Sequence, residues 1–253
     1  MTNGMTLTIL ASSSEANCAV VRSATTTIMV DAGLPYGPAF KALAGAGINP
    51  ESLSGVLLTH EHQDHSRGAE PICSKLRVPI YCTRGTADTL KWPHAAAKSM
   101  LFLADESFLI GDIWVVPFAV PHDAAEPVGF YLSTKERSIA IATDLGHVPE
   151  KVAQWLIGSD LVMIESSYEP DVLLKCEHDP KVKRRVISGD GHLSNELACN
   201  MISRLDARTS TVVLAHLSAR ANDPEIATLR AKRAMNGFSR RLALASEVVG
   251  EAL

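Results

Sequence analysis

The stretch Thr59-His60-Glu61-His62-Gln63-Asp64-His65 carries the densest chemistry in the chain. Three histidines and an aspartate fall within six positions, in a protein with 9 histidines among 253 residues, so chance does not account for the cluster. Imidazole nitrogen and carboxylate oxygen together suit Zn²⁺, Mn²⁺ or Fe²⁺. The preceding run Gly55-Val56-Leu57-Leu58 is apolar and reads as a buried strand. Alternate residues of a strand lie on one side, so the spacing predicts that His60 and His62 share one cation as the strand ends. The chain then turns and sends Asp64 and His65 toward a second point.

An apolar run followed at once by a histidine or an acid recurs four times. Trp114 to Val120 delivers His122, Ser138 to Ala142 delivers Asp144, Leu161 to Ile164 delivers Glu165, and Thr211 to Ala215 delivers His216. Strands of one sheet end along a common edge, so residues distant in sequence converge there. The pattern predicts one site rather than scattered histidines.

The elements that must position these residues follow from the rest of the chain. Thr6 to Leu10 reads as a strand, and Cys18 to Arg22 with Thr27 to Val30 as a hairpin ending at Asp31. An Asp at a strand end satisfies backbone N–H groups more often than it ligates metal, so Asp31 is read as structural. Val78 to Cys82, Val128 to Ser133 and Leu242 to Val249 are further strands. Helices are predicted over Pro38 to Ala46, Ala69 to Leu76, Thr86 to Trp92, Pro149 to Ile157, Pro180 to Ile187, Glu196 to Leu205 and Pro224 to Met235. Asn195 stands where it would cap the helix that begins at Glu196. No shift of composition divides the chain, which reads as one layered α/β domain over residues 1–253.

Composition bounds the function. A net charge of −4 argues against gripping nucleic acid by bulk charge and leaves room for a local basic rim. The five cysteines are odd in number and form no CxxC pair, so neither a disulfide framework nor a thiolate zinc site is expected, and a reducing cytoplasm fits. The first residues lack the basic start of a signal peptide, and no apolar run approaches the roughly 20 residues that span a bilayer. A cytoplasmic location without a membrane partner is the expectation, and the oligomeric state is not legible.

The HxHxDH motif, with His122, Asp144 and His216 following in that order, resembles the metallo-β-lactamase fold superfamily over nearly the whole chain. The resemblance implies an αββα sandwich with the active site at one edge and two divalent metal ions. His60, His62 and His122 would bind the first, Asp64, His65 and His216 the second, and Asp144 would bridge them; Asp31 matches the family's structural aspartate. Ser12-Ser13-Ser14-Glu15-Ala16-Asn17-Cys18, Gly191-His192-Leu193-Ser194-Asn195 and Leu214-Ala215-His216-Leu217-Ser218 further resemble the YycJ/WalJ-like branch, described as metal-dependent DNA exonucleases and similar to tRNA 3′-processing nucleases. The chain departs from that branch at Glu15-Ala16, at Ser167-Tyr168-Glu169 and at Ala221-Asn222.

The chemistry so implied is phosphodiester hydrolysis by water whose pKa two divalent ions lower. Asp64 counts with His192 and Glu165 among the catalytic candidates: His192 as the general acid for the leaving oxygen, Glu165 as its orienting carboxylate. His192 packed against a helix start is the plain alternative. Asn17, Ser194 and Asn195 lie in the matching segments and are candidate substrate contacts, as are Lys183, Arg184 and Arg185 of the basic run, which is equally a solvated helix face. His147 and His178 have weaker claims, and His94 reads as surface. DNA or RNA is the expected substrate. The alternatives are a small-molecule hydrolase of the same fold (cyclic phosphodiester, lactone or thioester) and a non-enzymatic metal protein.

Overall fold

Alternation of apolar residues with period two sorts the strands into two sheets that share a core. The computed structural model describes residues 4–91, 98–235, 240–250 and 252–253. Among these residues, one sheet has six strands in the order β1 (Thr6–Ser12), β2 (Asn17–Arg22), β3 (Thr27–Val30), β4 (Leu53–Leu57), β5 (Ile80–Cys82) and β6 (Ser99–Leu101). The other has seven: β7 (Phe108–Ile110), β8 (Ile113–Ala119), β9 (Val128–Ser133), β10 (Ser138–Ala142), β11 (Leu161–Glu165), β12 (Thr211–Ala215) and β13 (Arg241–Leu244). Leu161 and Met163 of β11 face the first sheet and pack with Leu7, Ile9, Val30 and Leu57. Val162 and Ile164 face the other way, onto Val152, Leu156, Ala198, Ile202 and Ala227 of the helices Glu150–Ile157, Asn195–Ile202 and Pro224–Ala234. Val20, Met29 and Val56 of the first sheet likewise meet Ala39, Leu43 and Ile72 of the helices Tyr36–Gly45 and Ala69–Leu76. The result is the expected four-layer αββα sandwich.

Strand direction decides where the site forms. β3 and β4 are parallel, as are β10, β11, β12 and β13. β8 is antiparallel to β9, and β9 to β10, so β8 runs with β10. The C-terminal ends of β3 and β4 in one sheet, and of β8, β10, β11, β12 and β13 in the other, therefore lie at one edge, with β9 reversed. The two sheets are tied there: the Val128 N–H donates to the Thr59 carbonyl (3.0 Å), and the His216 N–H to Ser12 Oγ (2.9 Å).

Several expectations are corrected. β4 ends at Leu57, so His60 and His62 are not on a strand; His62 immediately precedes the short helix Gln63–Ser66, without a side-chain hydrogen bond to its first turn. Ser194, not Asn195, caps the helix Asn195–Ile202, its Oγ accepting from the Leu197 N–H. The last strand stops at Leu244, where the chain turns, and Val249 makes only an isolated bridge to Ile9. β6, β7 and the helix Pro170–Lys175 were not anticipated. The helix expected to reach Trp92 spans Arg84–Leu90; Trp92 and His94 lie outside the described residues. No described helix is long and apolar enough to cross a membrane.

Candidate active site

Asp31 follows β3, His60 to His65 follow β4, His122 follows β8, Asp144 follows β10, Glu165 closes β11 and His216 follows β12. Three of these turn the chain out of its strand in the left-handed region: Asp31 (φ 57°), Asp144 (φ 56°) and His216 (φ 56°). Aspartate and histidine both visit that conformation more readily than most residues, and all three are buried here.

The side chains converge as two groups joined by one carboxylate. His62 Nδ1 lies 3.0 Å from His60 Nε2 and 3.3 Å from His122 Nε2. Asp64 Oδ2 lies 3.3 Å from His65 Nε2 and 3.7 Å from His216 Nε2. Asp144 reaches both groups, with Oδ2 3.1 Å from His65 Nε2 and Oδ1 3.5 Å from His216 Nε2 and 3.8 Å from His122 Nε2. Because His62 presents Nδ1 where its neighbours present Nε2, the pairing of His60 with His62 comes from loop geometry, not strand alternation.

The outer nitrogens of four of these imidazoles are held from behind. His65 Nδ1 meets Asp31 Oδ2 (2.8 Å), His122 Nδ1 the Gly191 carbonyl (3.0 Å), His216 Nδ1 Glu165 Oε1 (3.0 Å) and His60 Nδ1 Thr59 Oγ1 (3.0 Å). Such partners fix the ring and leave Nε2 facing inward, as metal-ligating histidines require. Two of the inward atoms, His216 Nε2 and Asp144 Oδ2, are buried without a hydrogen bond. A buried carboxylate oxygen and imidazole nitrogen left unbonded are costly unless a cation completes them. Four overlapping sets of ligand atoms, each within 4.8 Å of one another, fit divalent metal: His60/His62/His122, His60/His65/Asp144, Asp64/His65/His216 and Asp144/Glu165/His192/His216.

The electrostatics of the cluster agree. Burial would lower His216, but Asp144 together with Asp64 and Glu165 raises it to about 10. His65 rises well above its ordinary value against burial, because Asp144 and Asp31 face it. Asp144 falls well below the carboxylate range despite burial, through the His216 and His65 charges, and the same two imidazoles beside Asp64 lower it against burial too. Burial lowers His60 and His122. The facing carboxylates thus favour positive charge at this point, which a bound cation would also supply.

His192 stands beside this cluster, its ring stacked on that of His216 at 5.2 Å. Its Nδ1 lies 2.8 Å from Glu165 Oε1, the same oxygen that holds His216. Glu165 Oε2 accepts the Leu145 and Leu193 N–H groups (2.9 and 3.2 Å), so this fully buried carboxylate has four donors. Burial opposes charge on His192, yet Glu165 raises its pKa, while His192 and His216 keep Glu165 low.

The candidate substrate residues fare unequally. Asn195 is fully buried, its amide tied to Ser166, Glu169 and Asn222, so it braces the fold and does not face solvent. Ser194 is buried as a helix cap. Asn17 is buried against the cluster, its Nδ2 3.0 Å from His65 Nε2 and 3.4 Å from Asp64 Oδ2, where it orients ligands. Arg184 and Arg185 are exposed on the helix Pro180–Val186. Arg185 forms a bidentate pair with Asp123, and its positive charge is reinforced by Asp123, Asp64 and Asp144. Lys183 donates to the Leu174 carbonyl (2.8 Å). His147 is exposed and bonds the Gly189 carbonyl, and neither it nor His178 belongs to a metal-type set among the described residues. Asp123 was missed, although it adjoins His122: its Oδ1 lies 3.5 Å from His122 Nε2. An acid directly after a predicted ligand was the available signal.

Comparison with known proteins agrees with this geometry. Residues 26–217 match the β-lactamase superfamily domain. The chain is 32% identical to exodeoxyribonuclease YycJ of Bacillus anthracis over 233 residues, 89% of this chain and 87% of that protein. It is 30% identical to exodeoxyribonuclease WalJ of Streptococcus pneumoniae over 230 residues, 88% and 86% of the two. The crystal structure of the metallo-β-lactamase fold protein YhfI from Bacillus subtilis superposes with a TM-score of 0.74 at 16% identity, covering 98% of each chain.

Proposed function

The chain belongs to the β-lactamase superfamily, and from that premise we propose that it is a metal-dependent phosphodiesterase that degrades DNA from an end. Its relatives' name, exodeoxyribonuclease, supports the substrate. The observation that carries the chemistry is the Glu165 carboxylate, which holds His216 of the metal-type cluster and His192 outside the seven-ligand set through one oxygen. The alkoxide that leaves a phosphodiester is a poor leaving group and needs a proton, which the thiolate leaving a thioester does not need to the same degree. His192 supplies a protonated imidazole where that oxygen departs.

Two divalent ions, held by His60, His62 and His122 and by Asp64, His65 and His216 with Asp144 between, would lower the pKa of a water and offset phosphate charge. Zn²⁺ suits the His/Asp set best, and Mn²⁺ or Fe²⁺ suit it too. The protein does the rest. Asp31, Thr59, Gly191 and Glu165 lock the ligand rings, Asn17 steadies Asp64 and His65, and Asp64 would direct the attacking water. Glu165 accepts from His192 Nδ1, leaving Nε2–H to protonate the leaving oxygen. Arg184 would meet the substrate phosphates at the rim, beside Arg185, which Asp123 holds in place. Both sheets contribute to this one cluster, which supports reading residues 1–253 as one domain.

The test is digestion of 5′- and 3′-labelled single- and double-stranded DNA with Zn²⁺, Mn²⁺ or Fe²⁺. Stepwise release of nucleotides that chelation abolishes is expected. No digestion with any metal would remove the nuclease reading, and turnover of cyclic phosphodiesters, lactones or thioesters alone would establish the small-molecule alternative.

A further inference from the structure

The cluster does not exhaust the basic chemistry of this protein. A groove of about 580 Å³ opens beside the helices Pro170–Lys175 and Pro224–Ala234, with Val172 and Ile226 as apolar lining. Its charged lining is Lys175, Arg220 and Arg230 against Glu169 and Asp171. Glu169 is already engaged: its Oε1 accepts from Arg230 Nη2 (2.7 Å) and its Oε2 from Asn195 Nδ2 (2.9 Å). Lys175 and Arg220 are exposed, and they outnumber the one remaining acid, Asp171. In a chain of net charge −4, that is a local reversal of sign.

The groove is tied to the cluster at both ends. Arg220 follows His216 by four residues, so their Cα atoms lie within roughly 14 Å. The intervening turn is fixed: the Ser218 N–H donates to the Ser167 carbonyl (2.9 Å), Ser218 Oγ accepts the Ala221 N–H (3.1 Å), and Asn222 Nδ2 donates to the Ser166 carbonyl (2.7 Å). On the other side, Lys183 Nζ sits on the carbonyl of Leu174, the neighbour of Lys175. Two residues further along that helix, Arg185 is paired with Asp123 beside His122. Cations therefore follow one another from the metal-type cluster to the groove: Arg185, Lys183, Lys175, Arg220.

We propose that this groove is a second phosphate subsite, in which Lys175 and Arg220 hold the polynucleotide backbone a few nucleotides from the bond being cut. The inference rests on the nuclease reading above. A stacked strand carries one phosphate per ~3.4 Å, so a span of at most ~14 Å is covered by no more than roughly four nucleotides. Strands longer than that engage the groove; a dinucleotide reaches only the cluster. Arg230, already neutralised by Glu169, shapes the wall and contributes little attraction.

The test uses the full metal-loaded chain with Arg220→Glu and Lys175→Glu. KM and, by fluorescence anisotropy, Kd are measured for labelled 12-mers of DNA and RNA and for a dinucleotide. Each substitution is expected to raise KM and Kd for the DNA 12-mer about tenfold, with kcat within about twofold and dinucleotide turnover unchanged. The slope of log K against log salt should fall by about 0.7 per lost contact, and Arg220→Lys should keep it. RNA 12-mers bound as tightly as DNA would show that the groove reads only the phosphate. Unchanged KM and salt slope for the DNA 12-mer, with cutting intact, would overturn the groove and leave the nuclease reading standing. DNA neither bound nor cut by the unsubstituted protein would overturn both.

Discussion

Replacing His192 by alanine separates proton donation from every other contribution of this site. The side chain makes one hydrogen bond, to Glu165 Oε1, and its loss leaves that carboxylate with His216 Nδ1 and the Leu145 and Leu193 N–H groups. The folding cost is therefore small, about 1 kcal/mol for one hydrogen bond, and none of the seven expected ligands is replaced, although His216 loses the ring stacked on it. A positioned general acid contributes roughly 10²–10⁴ in rate, equivalent to about 2.7–5.5 kcal/mol of barrier. That loss should fall on DNA, whose leaving group is an alkoxide. It should nearly vanish on bis-p-nitrophenyl phosphate, whose phenolate departs without a proton. The assay is kcat on both substrates at matched metal content, with His192→Gln as a second variant that keeps polarity but cannot donate an imidazolium proton. Equal losses on the two substrates would refute the reasoning, because they would mark His192 as structural; no loss on DNA would refute it more directly.

Loading metal should expel protons, because the facing carboxylates raise His216 to about 10 and raise His65 as well, so both imidazoles hold protons more tightly than a free imidazole does. Calorimetric heats that do not depend on the buffer's ionisation enthalpy would contradict this; by the same sign, affinity should weaken as pH falls. Glu165→Gln should cut activity and bring the alkaline fall in rate to lower pH, because Glu165 is what raises His192, and the protonated form is the active one; an unmoved alkaline limb would count against that role. Asp31→Ala strands the buried Thr59 N–H and His65 N–H, costing about 2–6 kcal/mol. Tm should drop by roughly 5–20 °C for a chain this size, and a midpoint within 2 °C or so of the parent would be the wrong result. Gly33→Ala would place a Cβ 1.7 Å from the Asp64 carbonyl oxygen, so metal content by elemental analysis should collapse; full retention would show that the loop can yield.

Much of this was legible in the sequence because each ligand follows an apolar run. Val128–Ser133 and Thr211–Ala215 match their predicted bounds, being β-rich and flanked by turn residues. β6 and β7 are three residues each on sheet edges, too short for alternation to show. Ser194 and Asn195 are adjacent capping types, and only the tertiary network of Ser166, Glu169 and Asn222 decides that Asn195 turns inward. The pairing of Asp123 with Arg185 spans 62 positions, which no local pattern announces. Spacing could nominate His60 and His62 as partners; which nitrogen each offers depends on the backbone of a loop.

The cluster draws its members from both halves of the sandwich. His60, His62, Asp64 and His65 come from the six-stranded sheet, and His122, Asp144 and His216 from the seven-stranded one. A cation shared among them would act as a rivet through the seam between the sheets. At a free concentration 100 times its Kd, one such ion adds about 2.7 kcal/mol against unfolding. Metal supply would then govern the lifetime of the protein as well as its turnover. In a starved cell the idle enzyme would also be the one most open to proteolysis.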